Sequence, residues 1–245
     1  MVKVMPPNGT GANRPGGWRA PGGSSVPLLA PWQMRHGTKQ ILALIGSPRK
    51  QGNTDLMADE VLEGAGSVGA TTDKIYLDDY WVRPIGDVVD NSRKRDDPRK
   101  DDDFPALLER FLAADIVVWS TPVYWQGASA QMKCFLDRMS SYFNHPDYQD
   151  RFRGKGHGVL CTYGRPEARH GYWVIEPMKL TVEVLHGTYI GDVHASVYQK
   201  GKVREMPEVL AACRKLGMKA VRTMQGKEHC QQKLATDAED GAAEG

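Results

Sequence analysis

The sequence lacks any run of 18 apolar residues, so no segment is expected to span a membrane. Cysteine is scarce, and the four that occur, Cys134, Cys161, Cys213 and Cys230, form no CxxC pair. That spacing excludes a disulfide framework or a zinc knuckle and suits a reducing, cytoplasmic compartment. Excess charge of one sign is missing too. Lys and Arg number 32 against 30 Asp and Glu, a net charge of +2, which predicts neither nucleic acid nor another polyanion as partner. The chain has no HExxH, no Ser–His–Asp pattern and no paired acidic motif. His145, His157, His170, His186 and His194 show no metal-ligand spacing.

What is present divides the chain in three. Residues 1–38 are dense in Gly and Pro, without helical or alternating apolar spacing, and are expected to be a disordered tail. They contain no acidic residue, but this much Pro and Gly prevents the amphipathic helix of a transit peptide. VPLLAP is too short for a signal-peptide core, and Met34 is an alternative start of translation. Residues 227–245 are expected to be a second, acidic disordered tail. Between them, 39–226 form one domain.

Inside that domain the apolar pattern alternates in type. Short apolar runs predict strands over 41–45, 72–77, 116–119, 158–162 and 189–198. Helical spacing predicts helices over 54–65, 104–114, 129–142, 175–186 and 207–224, the last with Pro207 in its first turn. Strand followed by helix, without repeats, predicts right-handed crossovers around a five-stranded parallel sheet of α/β class.

Ligands bind such sheets beyond the carboxyl ends of the strands. The loops there read GSPRKQGNT, STPVYWQGAS and TYGRPEARHGYW, after the first, third and fourth strands. In the first, Ser47, Asn53 and Thr54 offer hydroxyl and amide donors and Arg49 a forked cation. Gly46 and Gly52 let backbone N–H groups approach a ligand, and a helix aims its positive end at the same spot. Two readings stand: a monophosphate site, or a capped turn with Thr54 or Asn53 as N-cap and Arg49 and Lys50 in solvent. A Walker loop and a dinucleotide fold are excluded, because no GK[ST] ends this loop and no GxGxxG spacing occurs in it. In the second loop Pro122, Val123, Tyr124 and Trp125 precede Gly127. Tyr and Trp are suited to stacking on a planar heterocycle, or alternatively to capping the core or a dimer contact. In the third, His170 and Tyr172 are candidates to face a substrate. The charge-dense run 92–103 reads as a solvated loop, or else as a lid or partner contact.

GSPRKQGNT followed by STPVYWQGASAQMKCFLDR, and later by RGKGHGVLCTYG, resembles the flavodoxin-like NADPH-dependent FMN reductase family. That group includes NAD(P)H:quinone reductases and iron–sulfur flavoproteins. The resemblance covers most of 40–226. It implies a flavodoxin-like, doubly wound sheet of strand order 2-1-3-4-5, non-covalent FMN, and a homodimer or homotetramer with each flavin near a subunit interface. It also implies that Ser47, Arg49, Asn53 and Thr54 hold the FMN phosphate. Pro122, Val123, Tyr124 and Trp125 would line the isoalloxazine, and Thr162, Tyr163 and Gly164 would contact its pyrimidine edge. Arg165 has no counterpart in the family pattern. A cation there would stabilise charge near N1 of reduced flavin, and the alternative is a solvated arginine.

One departure bears on cofactors. The iron–sulfur members carry a compact cysteine motif after the second strand, whereas residues 80–104 here contain no cysteine, so no iron–sulfur cluster is expected. With FMN as cofactor and NADPH or NADH as donor, the expected activity is hydride transfer to a quinone, a flavin or a similar small acceptor. Two alternatives remain at this point: a flavodoxin-like electron carrier with a protein partner, and an FMN enzyme dedicated to one metabolite.

Overall fold

The computed structural model describes residues 38–86 and 101–243, with the backbone alone from 230 onward. The expected N-terminal tail and most of the charge-dense run lie outside these residues.

The first apolar run forms β1, Gln40–Ile45, whose residues alternate between two covered faces and are buried from Ile41 onward. A strand covered on both faces can be apolar at every position. After it come α1 (Asn53–Gly66), β2 (Thr71–Tyr76), α2 (Phe104–Ala113), β3 (Ile116–Tyr124), the two-residue β4 (Gly127–Ala128) and α3 (Ala130–Phe143). The short α4 (Gln149–Phe152), β5 (Gly156–Tyr163), α5 (Arg169–Val184), β6 (Thr188–Ser196) and α6 (Pro207–Ala243) complete the order. The parallel strands lie as β2-β1-β3-β5-β6, with β4 folded antiparallel onto β3. This is the expected flavodoxin-like order, with β4 added as a hairpin arm.

Two half-cores sandwich the sheet. Ile41, Ala43, Ile45, Ile116, Val118 and Leu160 face α1 and α6. Leu42, Leu44, Val117, Trp119, Val159 and Cys161 face the α2, α3 and α5 side. Helices α1 and α6 touch closely because of two glycines. A Cβ at Gly64 would lie 2.1 Å from the Arg214 carbonyl oxygen, and one at Gly217 would lie 2.0 Å from that of Val61.

Several boundaries differ from expectation, and three of them change the reading. Strand β3 runs to Tyr124, because Ser120 and Thr121 are buried despite being polar. Ser120 Oγ donates to the Thr54 carbonyl at 2.8 Å, and the Ser129 amide donates to Thr121 Oγ1 at 3.0 Å. Helix α5 starts at Arg169, so His170 and Tyr172 belong to its first turn and not to a loop. Helix α6 continues to Ala243, so 227–243, read as a disordered tail, is helical. Its start is tied back to the sheet: Lys227 Nζ donates to Thr188 Oγ1 at 2.7 Å, and Glu228 pairs with Lys39 at 2.6 Å. No helix among the described residues is long and apolar enough to cross a membrane.

Candidate active site

Strand order reverses at β1, which has β2 on one side and β3 on the other, and the loops beyond their carboxyl ends diverge there. They leave a cleft. Ser47, Arg49, Gly52, Asn53 and Thr54 line one end of it, and Pro122, Val123 and Tyr124 come from the end of β3. Thr162, Tyr163 and Gly164 come from the end of β5, and Val197, Tyr198 and Lys200 from the turn after β6. The three stretches singled out in the sequence thus meet around one space. Trp125 and Arg165 are outside its lining. Trp125 is fully exposed at the tip of the β3–β4 hairpin. Arg165 is exposed, and its carbonyl accepts from Ser196 Oγ at 2.7 Å.

The phosphate-like end is built by a chain of internal hydrogen bonds. Gly52 is the N-cap of α1, and no side chain caps that helix, so the capped-turn reading with Thr54 or Asn53 fails. The N-terminal dipole is left for a ligand. Gln51 sits at φ 58°, and the buried Asp55 carboxylate holds it there by accepting from its amide at 2.6 Å. Asp55 also accepts from Lys74 Nζ at 2.9 Å and from the Tyr76 hydroxyl at 3.0 Å. Lys50 is turned away from the cleft into a 2.8 Å pair with Asp79. Arg49 lines the cleft with the buried Ser47, whose hydroxyl oxygen accepts from the Arg49 amide at 3.1 Å.

The glycines act differently from expectation. The Gly46 amide donates to the Ser120 carbonyl at 2.8 Å and that of Gly52 to the Arg49 carbonyl at 2.9 Å, so neither is free for a ligand. Their missing side chains make room instead. A Cβ at Gly46 would lie 2.7 Å from Ser129 Oγ, and one at Gly52 would lie 2.6 Å from the Arg49 carbonyl oxygen. Ser129 then joins the first and second loops, donating to the Gly46 carbonyl at 2.6 Å while capping α3.

The other end is open and aromatic. Trp125 and Gln126 both have positive φ, 49° and 63°, at the two-residue turn between the paired Tyr124 and Gly127. Two left-handed residues match the twist of such a turn, but a bulky side chain there is strained. The ring of Tyr163 packs under the first turn of α5, where its hydroxyl meets His194 Nδ1 at 2.9 Å. Burial, and then the neighbouring Cys161, push its pKa up, so it stays neutral. His170 Nδ1 lies 3.1 Å from Gln126 Oε1 and ties the hairpin tip to α5.

The arrangement offers a cation, hydroxyls and a helix N-terminus at one end and apolar, aromatic walls at the other. The model for NADPH-dependent FMN reductase matches residues 40–201. The chain belongs to that family. It is 32% identical to the putative NAD(P)H-dependent FMN-containing oxidoreductase YwqN of Bacillus subtilis, over 72% of this chain and 96% of that one. An iron–sulfur flavoprotein of Archaeoglobus fulgidus is 29% identical over 58% of this chain and 66% of its own. Among solved structures, the Trp repressor binding protein of Bacillus subtilis superposes with a TM-score of 0.57 at 24% identity, over 73% of this chain and 98% of that one. A flavone reductase gives 0.60 at 20% identity, over 78% and 64% respectively. Both share the fold. This FMN reductase family member is an NAD(P)H-dependent flavoprotein oxidoreductase, and the cleft's polarity fits FMN, which is anionic at one end and flat at the other.

The loop after β6 is not among those the sequence singles out, because the expected fifth strand continues to Tyr198. It ends at Ser196, and the rule that selected the other loops applies equally to the turn that follows.

Proposed function

We propose that the protein passes reducing equivalents from NADPH or NADH to a small flat acceptor, a quinone or flavin, which enters the same mouth as the nicotinamide. FMN supplies the two-electron chemistry when bound. Ser47, Arg49 and Thr54 anchor the phosphate. Pro122 and Val123 line the ring, and the backbone at Thr162–Gly164 meets its pyrimidine edge. The observation that carries this reading is the asymmetry of the cleft, lined by Arg49, Ser47 and Thr54 in one part and by Pro122, Val123 and the half-exposed Tyr124 in another. A single mouth makes donor and acceptor take turns. No protein acid is required, because a reduced quinone or flavin draws its proton from water. Anaerobic stopped-flow mixing with NADPH or NADH should bleach the flavin band within the turnover time, with quinone restoring it. If neither nicotinamide bleaches the flavin while a reduced protein does, the electron-carrier reading replaces this one.

The homo-oligomer rests on α5. Its inner face is core, yet Trp173, Leu180 and Val184 stand 59%, 62% and 58% exposed on the outer face, with Pro177 between them in a 4-3-4 spacing. With the half-exposed Tyr172 in the first turn, this side presents an apolar stripe along the helix, rich in the aromatic residues that interfaces favour. A second copy is the occupant we favour, packed helix on helix. Light scattering should give a dimer that Leu180→Glu reduces to monomer with FMN retained. A wild-type monomer would refute it.

A further inference from the structure

The turn from Val197 to Arg204 crosses the cleft from one flavin-contacting loop to another. At one end the Val197 amide donates to the Tyr163 carbonyl at 2.8 Å, and the Tyr198 ring lies on Gly164, where a Cβ would meet Cδ2 at 2.9 Å. At the other end Asn53 holds the turn by both halves of its amide. Nδ2 donates to the Gln199 carbonyl at 2.9 Å, and Oδ1 accepts from the Val203 amide at 3.2 Å. Arg204 Nη2 adds a bond to Gln51 Oε1 at 2.9 Å. Gly201 sits in the left-handed region at φ 76°, a backbone conformation that favours glycine.

Two consequences follow. The Asn53 side chain holds this turn through Oδ1 and one of its two Nδ2–H donors, a role beyond the phosphate contact that the resemblance implies. The residue after Gln199 is Lys200, which lines the cleft and is thereby brought to the end where Arg49 stands. Since Lys50 is engaged with Asp79, Arg49 and Lys200 are the cations among the cleft-lining residues.

We propose that Lys200 is a second cation for the phosphate of FMN, and that Asn53 is the positioning residue that delivers it. An arginine grips phosphate oxygens with a fork, whereas a lysine acts as a point charge on a flexible stem. Together they match a dianionic monophosphate better than one cation can. The proposal rests on the cleft being the FMN site, and it predicts selectivity for FMN over riboflavin, which lacks the phosphate.

The test is titration of the flavin-free protein with FMN and with riboflavin, followed by flavin fluorescence. Lys200→Ala should weaken FMN about tenfold and leave riboflavin within twofold, while Lys200→Arg keeps wild-type FMN affinity. Asn53→Ala should show the same phosphate-selective loss, and adding Lys200→Ala to it should cost little more, because the lysine is already misplaced. A merely structural role for Asn53 would weaken both flavins alike. Arg49→Ala separates the two levels of inference. If it weakens FMN while Lys200→Ala does not, the Lys200 assignment is wrong and the site stands. If neither variant changes FMN affinity, the cleft itself is misassigned.

Discussion

The two edges of the sheet carry polar residues of similar kind and use them in opposite ways. At the amino edge Lys155 is buried, and its ammonium donates to the Leu112 and Ala114 carbonyls at 2.7 and 2.6 Å. His157, fully buried, accepts from Trp119 Nε1 at 3.2 Å. Asp115 accepts from the Gln40 amide at 2.8 Å. All of these groups serve the fold. At the carboxyl edge Arg49, Ser47, Thr54 and Lys200 face an open cleft. A polar residue marks a site only when hydrogen-bonding capacity is left over, and Asn53 shows that at the carboxyl edge too part of that capacity goes to the fold.

The largest test of this contrast is acidification. Burial, and then the charge of Lys155, push His157 down to about 3 from 6.5. Geometry gives the reason: a proton on Nδ1 would face the Trp119 N–H that Nδ1 now accepts. Between pH 6.5 and 3 the unfolded chain therefore binds a proton that the folded chain refuses. Stability contributed by neutral His157 is full above pH 6.5 and falls as pH drops, by about 1.4 kcal/mol per pH unit. Urea unfolding at pH 6.5 and pH 4.5 should differ by about 2 kcal/mol from this group. A variant His157→Gln should flatten that component, although it is less stable at neutral pH. FMN affinity, set at the other edge, should show the same pH dependence in the wild type and in His157→Gln, because it follows the phosphate, whose second pKa is about 6, and not the histidine. Equal pH slopes in the wild type and the variant would mean that the amino edge does not hold a neutral histidine.

The same contrast explains what the sequence discloses. Ile41–Ile45 announces itself, because a strand covered on both faces is apolar throughout, and the loops at its carboxyl edge follow from topology. Ser120 and Thr121 hide the end of β3, because their burial depends on Thr54 and Ser129, which reach them only in the fold. The extension of α6 past Met224 was hidden by its lack of apolar spacing, for Lys227 and Glu228 tie it to the sheet through polar contacts. The part that Asn53 plays in holding the turn after β6 is hidden for the same kind of reason. Its partner carbonyl is 146 residues away in sequence, and no local pattern reports it.

The smallest expected effect lies at the carboxyl edge itself and sharpens the difference between its two ends. The phosphate end is cross-linked by Asp55, Asn53 and Ser129, whereas the hairpin tip carries a fully exposed Trp125 at positive φ. A bulky residue in that conformation costs on the order of 1 kcal/mol, and strain of this kind collects at functional sites. Asparagine tolerates the left-handed region and favours this turn. Trp125→Asn should therefore raise stability by about 0.5–1 kcal/mol, read as a higher urea midpoint. FMN affinity should stay within twofold, because the phosphate end still anchors the cofactor. Steady-state turnover with a flat quinone should fall several-fold, mainly through a higher KM, since the indole is the face against which an entering ring can rest. A gain in stability with unchanged kinetics would assign Trp125 to the subunit interface beside Tyr172 and Trp173. Unchanged stability and kinetics together would show that the turn carries neither strain nor substrate.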